Sequence, residues 1–175
     1  MAELYQSHFR MFALYNRWAN ARLYAAAAQL PAMALAEERG AFFGTVIGVL
    51  NHLLVADRIW LGRLRADSPV AYRLDEVLYP LFGELAQARA AEDARLIACV
   101  YALAEAQFGE TVSYPTLAGM PQTQLRHHVL SHVFNHQAHH RGQAHDLMCQ
   151  IGGKDAVPVL DLLAYQRHFW PNEGP

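Results

Sequence analysis

The chain has 175 residues, 53% of them hydrophobic and 17% charged, which supplies apolar material for a sizeable core in one domain and argues against disorder. Its formal charge is -2, with 14 Lys and Arg against 16 Asp and Glu, so neither the basic footprint of a nucleic-acid binder nor a polybasic membrane patch is present. No stretch approaches the ~18 uncharged apolar residues of a membrane helix.

The opening residues MAELYQSHFRMF mix polar and apolar types without a basic start, so no signal peptide is expected. From about Tyr5 to Leu30, Phe9, Phe12, Leu14, Trp18, Leu23 and the alanine run suit a helix closed by Pro31. A second helix is expected from Ala41 to Arg65. It is apolar nearly all round and therefore belongs in the middle of a bundle. A third helical region covers Leu74–Phe108, kinked or broken near Pro80. Thr111–Pro115 and Leu117–Pro121 read as a loop or a short hairpin. The fourth helix spans Gln122–Gln150 and stops at Gly152-Gly153. Asp161–Arg167 adds a short helix. The expected fold is all-α, an antiparallel four-helix bundle with a short extra C-terminal helix, in one domain over 1–168 with a disordered tail over 169–175. Cys99 and Cys149 form no CxxC and read as two reduced thiols, which suits a cytoplasmic protein.

The composition stands out for its 10 histidines, six of them within His127–His140. Residues four apart stack on one helix face about 6 Å apart, which lets two imidazoles share a metal ion. Three pairs have this spacing: His128/His132, His132/His136 and His136/His140. Advancing about 100° per residue from the apolar face of Leu125, Val129, Val133 and Leu147 turns His140 and His136 inward. His132 is marginal, and His127, His128, His139 and His145 face outward. Two inward histidines need partners for four ring nitrogens in an apolar setting, and a shared metal ion would take one nitrogen of each. A third ligand should come from the second helix, where the candidates are His52 and Asp57. Facing does not favour His52, because Asp57 lies on the main apolar face and His52 well away from it.

Four segments resemble the DinB superfamily of four-helix metalloproteins: Tyr15–Asn20, Asn51–Leu61, Val133–Gln143 and the closing Asp161–Tyr165, of which the third is the most specific. The resemblance covers nearly the whole chain. It implies His52, His136 and His140 as ligands of one divalent ion, zinc or nickel first, and leaves Asp57 as a core polar group beside them. It also implies a metal- and thiol-dependent S-transferase or isomerase with a low-molecular-weight thiol as co-substrate.

Three neutral imidazoles leave the ion its full charge and an open position, the catalytic rather than the structural pattern. Metal-assisted hydrolysis of a small-molecule substrate is the chemical alternative, and a non-catalytic metal-binding stress-response protein the alternative class. His132, Asp57 and Tyr15 are the candidate bases. The apolar second helix and the outward histidines of the fourth make a homodimer the expected assembly.

Overall fold

The computed structural model describes residues 4–67 and 73–170. Among these described residues four long helices carry the fold: α1 at Leu4–Ala27, α3 at Val46–Arg65, α4 at Phe82–Tyr101 and α5 at Arg126–Gly152. Two short helices accompany them, α2 at Ala32–Leu35 and α6 at Leu162–His168. α1 packs on α4 and α5, and α3 packs on the same two helices, so their facing stripes close one apolar interior. Leu23, Leu50, Leu54, Leu85 and Met148 fill one end of it, and Phe9, Leu61, Leu96, Phe108 and Leu130 the other.

The departures from the expected elements have specific causes. α3 begins at Val46 rather than Ala41, because Gly44 takes a left-handed φ of 72° and Thr45 then caps the helix, its hydroxyl accepting from the Gly48 amide at 2.9 Å. The expected Leu74–Phe108 helix is shorter. Residues 73–81 are not helical, because Asn51 of α3 grips Tyr79 through both its amide atoms at 2.9 and 3.0 Å and Pro80 follows directly. After α4 the chain makes a 3-10 turn at Glu105–Gly109.

The fold is also not purely helical. β1 at Thr111–Pro115 pairs antiparallel with β2 at Pro121–Leu125, in a register that sets Ser113 opposite Thr123. This strand takes the residues assigned to the start of the fourth helix, so α5 begins at Arg126. Its other end is as expected, with Gly153 at φ 82° accepting the turn out of the helix. Asp161 caps α6 by accepting from the Ala164 amide at 2.7 Å. Phe169, assigned to the tail, instead stacks on Tyr165 and meets Trp18 at a tilt, and Trp170 packs against the cluster of Met11, Leu14 and Tyr165. Residues 171–175 of that tail lie outside the described residues.

A buried polar seam crosses the apolar interior. Asp57 and Arg89, both 2% exposed, form an ion pair at 2.8 Å. Arg89 also reaches Asp93 at 3.1 Å, and Asp93 accepts from Asn16 and Asn20. The two asparagine oxygens in turn accept from Arg141 at 2.6 and 3.1 Å. Two carboxylates and two guanidinium groups thus balance in charge inside the bundle, with Asn16 and Asn20 linking Asp93 to Arg141.

Candidate metal centre

His52 lies on α3, and His136 and His140 lie four apart on α5, the helix that packs against it. The His52 Nε2 atom stands 3.2 Å from Nε2 of His136 and 3.2 Å from Nε2 of His140. One ligand atom from each of the three rings falls within 4.8 Å of the others, so the group could hold a metal ion. Of the three spaced pairs in the sequence, the fold brings only His136/His140 to a histidine on another helix.

The far side of two of these rings is fixed. His52 Nδ1 donates to the Leu74 carbonyl at 2.7 Å, and His140 Nδ1 donates to Gln143 Oε1 at 2.7 Å. A carbonyl oxygen only accepts, so the proton of each neutral ring sits on Nδ1 and Nε2 is left as a lone pair. Two lone pairs therefore face each other at 3.2 Å, an arrangement that neutral rings cannot satisfy by hydrogen bonding to one another. A cation between them resolves it. Zinc–nitrogen bonds of 2.0–2.1 Å in tetrahedral array would set ligand nitrogens about 3.3 Å apart, so the spacing fits a small divalent ion. The residues fit the group.

The electrostatics agree with neutral ligands. Burial, followed by the neighbouring His140 and His52 rings, lowers the His136 pKa from 6.5 to about 3. Burial likewise lowers His52 against the opposing Leu74 carbonyl, and lowers His140 against the opposing Gln143. Phe43 stacks flat on His52 with ring centroids 3.8 Å apart and meets His140 edge-on at 5.5 Å. His52 is 4% exposed under this cover, while His136 and His140 are half-buried.

The other sequence candidates divide cleanly. Asp57 is turned into the polar seam and stays out of the three-histidine group, which agrees with its place on the apolar face of α3. Tyr15 donates its hydroxyl to the Leu160 carbonyl at 2.7 Å and carries Arg141 of α5 over its ring, so it ties α1 to α5 and to the segment before α6. His132 adjoins the site, its ring 5.7 Å from His136 and edge-on to Trp60 at 4.9 Å. His128 and His139 are exposed, and His127 and His145 donate to the carbonyls of Phe108 and Pro158.

Sequence reasoning missed Phe43, Leu74 and Gln143. Only Gln143 carried a signal, since it lies three residues after His140 on the same helix face. Facing on α3 misled for a physical reason: His52 points away from the main core, and it is buried by the loop at Ala41–Gly44 and by Leu74, elements that no helical wheel represents.

A model of the DinB family matches residues 4–172, nearly the whole chain. No curated protein matches it.

Proposed function

The chain belongs to the DinB family, and from that premise we propose that it binds one divalent ion, zinc or nickel, through His52, His136 and His140. The antiparallel four-helix bundle of residues 1–168 would be the scaffold. The observation that carries this reading is the pair of Nε2 lone pairs facing at 3.2 Å with both Nδ1 protons committed elsewhere. The use we infer is thiol-dependent S-transfer onto a small electrophile.

A bound ion at such a site supplies Lewis acidity, enough to acidify a thiol or a water brought to it. The chain's own residues do the rest. Phe43 and Leu74 shut water away from His52, while His136 and His140 keep solvent-reachable edges through which a small molecule can approach. Asp57 and Tyr15 are engaged in the core, which leaves His132 as the candidate base beside His136. Its pKa is lowered, first by burial and then by Arg63, so it is neutral and able to take a proton at neutral pH.

The test has two stages. Metal analysis of untagged protein should return one ion per chain. Consumption of a low-molecular-weight thiol with 1-chloro-2,4-dinitrobenzene should then require the ion and vanish in His136→Ala. Protein that retains no metal sinks the whole reading. Metal retained with no thiol consumption across a thiol panel leaves a non-catalytic metal-binding stress-response protein.

A further inference from the structure

Ile59 and Arg63 follow His52 at seven and eleven residues along α3, and so fall on the same outer face of that helix. There α3 and β1 enclose a cavity of 260 Å³ lined by Arg58, Ile59, Gly62, Arg63, Tyr114 and Leu117, among others. The Arg63 guanidinium lies against two aromatic rings that meet edge-to-face, 4.5 Å from the Trp60 centroid and 4.6 Å from that of Tyr114. One of its nitrogens donates to the Pro115 carbonyl at 3.2 Å.

Among the described residues no carboxylate pairs with Arg63. The neighbouring charges are already engaged: Arg58 faces Glu92 at 3.5 Å, and Asp67, which also lines the cavity, faces Arg65 at 3.2 Å. Burial without an acidic partner lowers the Arg63 pKa below that of an ordinary arginine. Gly62 adds a second, independent observation. Gly62 lies in the last turn of α3, and a Cβ added here would meet nothing within 4 Å. Helix packing does not demand it, and any larger side chain would project into the cavity.

We propose that this cavity binds an organic monocarboxylate with an apolar body, its carboxylate on the Arg63 fork. One uncompensated positive charge matches a monoanion better than a phosphate dianion. The planar guanidinium fork, positioned by its contacts with the two rings, can receive a carboxylate through two parallel hydrogen bonds. Ile59, Leu117 and the Tyr114 ring offer the apolar wall. The proposal does not rest on the metal reading, since Ile59 lies about 10 Å along α3 from His52.

Calorimetric titration of the full chain with phenylacetate tests it, with phenylacetamide as the neutral isostere and inorganic phosphate as the bare anion. Phenylacetate should bind saturably, and phenylacetamide and phosphate each at least roughly tenfold more weakly. Arg63→Gln and Gly62→Leu should each weaken phenylacetate by roughly tenfold or more with metal content unchanged, the first by removing the charge and the second by filling the space. Gly62→Leu keeps Arg63 and its hairpin contacts, so it reports on the cavity even where Arg63→Gln loosens β1. No phenylacetate binding, equal binding of phenylacetamide or phosphate, or wild-type affinity in Gly62→Leu overturns the proposal.

Discussion

Gln143 accepts the Nδ1 proton of His140 at 2.7 Å, and so fixes which nitrogen of that ring is left for a cation. Its own amide nitrogen contacts His139 Nε2 at 3.4 Å, which holds the oxygen toward His140. Outer partners of this kind set the tautomer of a ligating imidazole and tune its basicity. Gln143→Leu should therefore weaken metal affinity by about 10- to 100-fold, whereas Gln143→Glu keeps the acceptor and should retain it. Competition against a chromophoric chelator measures both. Equal affinity in Gln143→Leu would show that the acceptor has no part in the site.

The ligand set gives a sharper contrast. His52→Ala, His136→Ala and His140→Ala should each lose most bound metal, while His128→Ala and His139→Ala should keep it. The first three rings converge, and the other two are exposed and outside the group. Metal analysis after desalting decides the matter, and full occupancy in His140→Ala would rule out the assigned set.

Asp57→Asn should separate fold from site. Its carboxylate and Arg89 are both 2% exposed and 2.8 Å apart, so the substitution leaves a buried guanidinium short of one charge partner. Breaking a buried pair in this way costs about 3–5 kcal/mol. Urea denaturation should record a loss of that order, with metal stoichiometry of the folded protein unchanged. Metal loss without destabilisation would place Asp57 in the ligand shell instead.

Four residues show how far the sequence could be read. His136 and His140 were legible because four-residue spacing and inward facing are properties of one helix, and α5 has the geometry that periodicity assumes. His52 was not legible from facing, because its burial comes from Phe43 and Leu74, supplied by chain segments on either side of α3. Asn51 shows the same limit in the fold. Its grip on Tyr79 holds residues 73–81 out of the helix that composition favours, and no local pattern announces a bond across 28 residues. The long helices were readable from local periodicity. The loops that finish the site depend on long-range hydrogen bonds.

Stability, pH and metal loss are linked through the three histidines. His136 has its pKa lowered from 6.5 to about 3, and His52 and His140 are lowered in the same direction. A base with a depressed folded pKa binds more protons when unfolded than when folded, so stability rises with pH across the gap between the two values. Without metal, the contribution of His136 should be complete above about pH 6.5 and should drain away as pH falls toward about 3. Metal steepens this dependence, because each ligand must be neutral to bind and protons compete at three rings. An ion bound only to the folded state adds about 2.7 kcal/mol at a hundredfold excess over Kd. For a chain of this size that corresponds to roughly 5–10 °C in Tm. Chelator should therefore lower Tm by that amount at pH 7.5 and change it little near pH 4.5, where protons have already displaced the ion. Circular dichroism should show the helices intact after chelation at pH 7.5, because the apolar interior between α1, α3, α4 and α5 does not pass through the three histidines. Outright unfolding on chelation would make the ion a structural staple, and would move the site away from S-transfer.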